Sequence, residues 1–218
     1  MNKVALFDID YTLFDTDRFI AEYRKLLKKR FSDVDANKLM EIVEDAYQKT
    51  RRKFGYFESL YFCKEVVAAS QSGLNPEELE RDIFSDKMIE ESLYKETMPV
   101  FHELQKLGIQ FGIFSTGHIS FQKRKIKSLE KFLPPEHIHI FALKDNEIGS
   151  VLKQYSDSQV FLIDDYLPVL YAAKKADDAL TTIWVKRGRF SEMEHIEKDM
   201  IDGTVSNLEE IVPILVGE

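Results

Sequence analysis

Apolar positions along the chain follow three rhythms in succession. The first is a short continuous run, KVALF at residues 3–7, that stops at Asp8. A run this short, with no polar residue alternating through it, predicts a strand buried on both faces. The second rhythm occupies residues 17–96 and is helical throughout. Phe19, Ile20, Tyr23, Leu26 and Leu27 recur at helical spacing, as do Leu39, Val43, Ala46 and Tyr47, and then Phe57, Leu60, Tyr61 and Val67. Asn75-Pro76-Glu77-Glu78 reads as an N-cap, a proline in the first turn and two acids where the helix dipole favours them. The third rhythm alternates. Val100 to Leu107 is helical and ends at Gly108, and strands follow at 109–114 (IQFGIF), 138–143 (IHIFAL), 159–163 (QVFLI) and 181–185 (TTIWV). Helices near 119–131, 146–155 and 167–176 separate them, and a last helix covers 208–215.

Strands alternating with helices predict an α/β protein, a Rossmann-like parallel sheet with helices on both faces joined by right-handed crossovers. The first strand belongs to that sheet, so the chain divides into a core made of residues 1–16 and 97–218 and an all-α insertion at 17–96. In open parallel sheets ligands bind beyond the carboxyl ends of the strands. Those ends carry a coherent set here: Asp8 and Asp10 after the first strand, Ser115-Thr116-Gly117 after the second, Lys144 after the third, and Asp164-Asp165 after the fourth.

Several carboxylates on one rim repel each other unless a cation neutralises them. Oxygen-only ligands suit a hard divalent ion, and Mg²⁺ characteristically combines a few carboxylates with water and substrate phosphate. Asp8 and Asp10 stand two apart, so in a continuing strand they would face opposite ways. Both reach one site only if the chain turns after Asp8, and such a turn also offers backbone N–H groups to phosphate oxygens.

The ordered set resembles the haloacid dehalogenase-like superfamily. VALFDIDYTLFD matches its first motif, Asp-x-Asp-x-Thr, with Asp8, Asp10 and Thr12; FGIFSTG matches the second with Ser115; a lysine upstream of the fourth strand is the third; VFLIDD matches the fourth. IDGTVSNLEEIVPIL resembles the final strand and helix of such proteins, so the likeness covers the whole chain. Response-regulator receivers carry similar acids, but their acidic pair lies at the first strand rather than the fourth.

The resemblance implies a phosphatase with a helical cap of the C1 type at 17–96. Asp8 would attack phosphorus and form an aspartyl-phosphate, Asp10 would act as acid and then base, and Ser115 and Lys144 would hold the phosphoryl group, with backbone help from Thr116 or Gly117. Asp8, the Asp10 carbonyl and the acidic pair would hold Mg²⁺. Ile163 replaces the usual Gly of the fourth motif, and Pro168 and Val169 occupy the places of its later acid, so either Asp164 or Asp165 could be the ligand. Lys125 in FQKRKI competes for the lysine role, although Lys144, directly after a strand, matches better. Haloacid dehalogenases lack the second aspartate, so Asp10 favours phosphoryl chemistry. Phosphomutases retain it and stay open, as does an idle relative that binds phosphate.

Within the insertion, Arg51 and Arg52 are candidates to bind a second anionic group of the substrate, and Asp15, Thr16 and Asp17 mark the hinge into it. His118 could approach substrate or cap its helix. Trp184 reads as core or rim packing.

Composition narrows the rest. A net charge of -8 and a pI near 5.3 argue against nucleic-acid or membrane-surface binding. No apolar stretch is long enough to cross a bilayer, and the single cysteine, Cys63, in an apolar helical stretch, fits a reducing cytoplasm. The expected partner is a small phosphorylated metabolite, with no nucleic acid and no membrane. Nothing in the sequence sets the oligomeric state.

Overall fold

The computed structural model describes residues 2–195 and 197–217. Six parallel strands, β1 (Asn2–Phe7), β2 (Gln110–Thr116), β3 (Ile138–Phe141), β4 (Ser158–Asp164), β5 (Thr181–Val185) and β6 (Gly203–Val205), form one sheet in the order β3-β2-β1-β4-β5-β6. This is the doubly wound Rossmann-like arrangement that the alternating pattern predicts. Val4 to Phe7 are all buried because β1 lies at the centre. Their side chains alternate between two cores. Ala5 and Phe7 join Phe101, Ile113 and Ile163 on one face, while Val4 and Leu6 join Phe114, Leu162 and Trp184 on the other.

Helices complete both layers. α6 (Thr97–Lys106) and α10 (Ile211–Val216) bury Phe101, Leu104, Ile211 and Leu215 against the first face. α8 (Ile148–Leu152) and α9 (Leu167–Ala176) bury Val151, Leu167, Leu170 and Ala173 against the second. Three elements are shorter than the apolar pattern predicts. β3 stops at Phe141, because Ala142 and Leu143 are exposed. α8 is flanked by 3-10 turns, and α7 (Ile119–Lys125) is followed by a 3-10 stretch over Lys127–Phe132 in place of a helix to 131.

Between β1 and α6 the chain is helical, as its spacing predicts: α1 (Thr16–Arg30), α2 (Ala36–Phe54), α3 (Ser59–Ser70), α4 (Pro76–Ile83) and α5 (Asp86–Glu90). Side-chain caps define their starts. Asp15, Asp35, Asn75 and Ser85 each accept a backbone N–H of the first turn, and Pro76 occupies the first turn of α4. The segments that enter and leave this block lie side by side. Asp15 N donates to Ser92 O (2.7 Å) and Tyr94 N to Leu13 O (3.0 Å). Phe19, Tyr23, Phe57, Phe62 and Phe84 form an aromatic cluster within the block, and Phe121 of α7 (Ile119–Lys125) joins it from the sheet side at 5.6–6.2 Å between ring centres. Arg124 reinforces that junction through Glu80, Asp86 and the Phe84 carbonyl. Among the described residues no helix is long and apolar enough to cross a membrane.

Candidate active site

Phe7 pairs in register with Ile113 on one side and Ile163 on the other, so Asp8, Ser115 and Asp164 arrive at one rim on adjacent strands. Asp8 N donates to Ile163 O (2.9 Å), which fixes that residue to the sheet. The chain then coils. The N–H groups of Thr12, Leu13 and Phe14 converge on the Ile9 carbonyl at 3.3, 2.9 and 2.9 Å, with Tyr11 in the left-handed region at φ 59°. This is the turn that two aspartates at i and i+2 need in order to share a site. Thr12 is buried beneath it, its hydroxyl without a partner.

Two carboxylate–lysine systems occupy the rim. Lys144, fully enclosed, places Nζ 2.5 Å from Asp8 Oδ1, bonds Asp164 Oδ2, and lies 3.3 Å from the Phe114 carbonyl. Burial alone would push its ammonium down, but the Asp164 and Asp8 carboxylates outweigh burial and hold it above the usual lysine range. Lys125 serves the other aspartate, with Nζ 2.7 and 2.8 Å from the two oxygens of Asp10. Thr16 Oγ1 (2.8 Å) and Gln122 Nε2 (3.0 Å) also donate to Asp10. Burial pushes Asp10 up, but Lys125 and these donors overcome it, so its carboxyl sits below the ordinary range. The two lysines that compete in the sequence therefore have separate tasks.

Asp8, Asp164 and Asp165 can each bring one oxygen within 4.8 Å of the others. Burial pushes Asp164 up to about 7, helped by the Asp8 charge, and pushes Asp165 up to about 9, helped by Asp164 and Asp8. Asp8 is raised by burial and by Asp10, with Lys144 opposing. One ammonium is too little charge for three enclosed carboxylates, and the buried Oδ2 of Asp165 has no hydrogen-bond partner. This donor set fits a hard cation. The acids differ in freedom. Asp164 is wholly buried, its oxygens engaged by Lys144 and by the Tyr166 N–H (2.9 Å), whereas Asp165 lines the cavity. Trp184 Nε1 donates to the Asp165 carbonyl (2.9 Å), so Trp184 packs at the rim and anchors this turn.

A cavity of about 430 Å³ opens between the rim and the helical block, lined by Asp8, Asp10, Thr116, Gly117, Lys144 and Asp165 at its base. Ser115 lies just behind, linked to Asp10 through Gln122, whose Nε2 is 3.1 Å from Ser115 Oγ. The Thr116 hydroxyl accepts the Lys144 N–H (3.3 Å). Gly117 does not offer the expected backbone help, because its N–H donates to Phe141 O (2.8 Å). A glycine is required there for another reason: φ is 152° and a Cβ would press on the Gln122 side chain at 2.7 Å. Arg51 lines the cavity and Arg52 does not; Arg52 is exposed and pairs with Asp45 at 3.8 Å. His118 makes no capping bond and faces the cavity, its ring 5.9 Å from Tyr56.

A family model described as haloacid dehalogenase-like hydrolase matches residues 2–176. The chain belongs to that family of hydrolases. Solved structures share the fold across nearly the whole length. A protein of Burkholderia xenovorans LB400 described as a haloacid dehalogenase-like hydrolase is 23% identical over 97% of both chains, with a TM-score of 0.76. YfnB of Bacillus subtilis, described as a HAD-hydrolase bound to magnesium, is 19% identical over 98% of both chains, with a TM-score of 0.66. The L-2-haloacid dehalogenase RSc1362 is 15% identical over 99% of both chains, with a TM-score of 0.63. No curated protein matches the chain.

Proposed function

We propose that this hydrolase is a Mg²⁺-dependent phosphatase that cleaves a small phosphorylated metabolite through an aspartyl-phosphate on Asp8. The observation that carries this reading is Asp10. A carbon–halogen displacement has no leaving oxygen to protonate, yet here a second carboxylate stands beside the nucleophile, held by three donors from two different helices. Helices α1 and α2 act as part of a cap, residues 17–96, over the cavity.

Asp8 attacks phosphorus, and a covalent intermediate divides one difficult displacement into two easier ones. Lys144 opposes the burial that raises Asp8 and offers positive charge to the incoming phosphoryl oxygens. Ser115 and Thr116 orient that group from the end of β2. Asp10 is ionised in this arrangement, which is the form that takes a proton from the water hydrolysing the intermediate. To protonate the leaving oxygen first, it must take up a proton from water or from the substrate's phosphate monoanion before that step. Asp8 and Asp165, the two acids of the carboxylate cluster that line the cavity, would hold Mg²⁺ with Asp164 behind them, and when bound the ion would neutralise charge on the transferring phosphoryl group.

Phosphate release from acetyl phosphate and p-nitrophenyl phosphate tests this directly. The expected result is turnover with Mg²⁺ that disappears in EDTA and in Asp8→Asn. Chloride release from 2-chloropropionate, with no phosphate release from any ester, would replace this reading with a dehalogenase.

A further inference from the structure

The cavity also carries groups that the hydrolytic step does not use. Nine of its 26 lining residues are Phe or Tyr, whereas aromatic residues make up 12% of the chain. Phe19, Tyr23 and Phe121 are buried and serve the core as well. Tyr56, Tyr166 and Phe190 are only half-buried. Tyr56 comes from the helical block, just after α2. Tyr166 and Phe190 come from the rim, their ring centres 4.7 Å apart. The segment bearing Phe190 is set by Gly188, at φ 61°, where any Cβ would collide with the Tyr11 ring. That close approach lays Arg189 over Tyr11 and Phe190, 5.7 and 4.5 Å from the ring centres.

Charge adds a second feature. Arg52 pairs with Asp45 and Arg187 with Glu96, but their neighbours Arg51 and Arg189 form no ion pair among the described residues. Both line the cavity, one from the block and one from the rim. Arginines that line one aromatic cavity from two sides without an ion-pair partner among the described residues are suited to an anion attached to a flat ring. The volume, about 430 Å³, falls in the range of roughly 300–1,000 Å³ typical of sites for ring-bearing small molecules.

We propose that the site selects phosphomonoesters whose leaving group is a planar aromatic ring bearing a further anionic group. The ring lies between Tyr56 and the Tyr166–Phe190 pair, and the anion meets Arg51 and Arg189. This rests on the phosphatase reading and gives its leaving group a chemical class. Hydrolysis then releases inorganic phosphate and the ring-bearing alcohol.

Three synthetic esters separate the contributions at nearly constant leaving-group chemistry: cyclohexylmethyl, benzyl and 4-carboxybenzyl phosphate, with acetyl phosphate as reference. The expected kcat/KM for benzyl exceeds that for cyclohexylmethyl by about fivefold or more, the scale of an aromatic pair. The carboxylate adds about a further tenfold, the scale of a charge-assisted contact. In Tyr56→Leu the benzyl-to-cyclohexylmethyl ratio falls toward one, and in Arg51→Gln or Arg189→Gln the carboxybenzyl-to-benzyl ratio does so. Ratios within one variant do not depend on how much of it folds. Acetyl phosphate turnover with equal rates for all three esters overturns the ring-and-anion inference and leaves the phosphatase reading standing. Absence of turnover on acetyl phosphate and every ester overturns both.

Discussion

The two sets of side chains that line the cavity are built on opposite principles. At the rim the charged side chains gather around the strand ends: Lys144 is enclosed between Asp8 and Asp164, and Lys125 reaches Asp10 from the end of α7. Around them the cavity is lined by half-exposed rings and by Arg51 and Arg189, which form no ion pair among the described residues, carried by a helix end and by loops. Strand ends in a parallel sheet are positioned by pairing on both sides, so they hold atoms to the tolerance that bond-making needs. Loops and helix ends can change without disturbing the sheet. One set thus suits a fixed reaction and the other a variable choice of substrate.

Substitutions at the rim should have the largest effects. Asp8→Asn is expected to leave less than about one-thousandth of the phosphatase rate, since nucleophile and partners act as a unit. Lys144→Met should abolish activity and also cost stability, because removing one partner of a buried ion pair costs about 3–5 kcal/mol. For a chain of this size that is a fall of roughly 6–20 °C in Tm by calorimetry. A Tm unchanged within error would mean that the enclosed carboxylates do not need this ammonium.

A smaller effect should appear with pH. Burial and the neighbouring carboxylates push Asp164 up to about 7 and Asp165 up to about 9, from an ordinary value of 3.8. The folded state therefore binds more protons than the unfolded one between about pH 4 and 9, and stability falls as pH rises through that window. Thermal melts in EDTA should show this decline, and Mg²⁺ should flatten it while raising Tm. Parallel curves with and without the ion would contradict the carboxylate cluster as its site.

In the second set, Arg51→Gln should change substrate preference with stability nearly unaltered. Arg52→Gln marks the lower limit, because an exposed pair such as Arg52–Asp45 contributes at most about 1 kcal/mol. It should leave both turnover and preference unchanged in the same steady-state assays.

The same division governs what was legible in the sequence. Asp8, Asp10, Ser115, Lys144, Asp164 and Asp165 follow apolar runs, and the open-sheet rule places such residues on one rim. Gln122 and Thr16 carried no comparable signal, since each reaches Asp10 only through the packing of its helix against the sheet. Lys125 was visible as a rival to Lys144; that both lysines are used, each on its own aspartate, depends on three-dimensional placement. Adjacent arginines on a helix differ by about 100° in direction, so only the packing of α2 separates Arg51 from Arg52. Arg189 and Phe190 lie in a 3-10 turn with no apolar period to mark them. The expected N–H of Gly117 was lost to the Phe141 carbonyl, a bond that only the β2–β3 register reveals.

The most direct test of phosphoryl chemistry on Asp8 is peptide mass spectrometry after acid quench during turnover of acetyl phosphate with Mg²⁺. The account predicts one phosphoryl group on the peptide containing Asp8, removable by hydroxylamine and absent from Asp8→Asn. A phosphoryl group on another residue, or full turnover by Asp8→Asn, would contradict it.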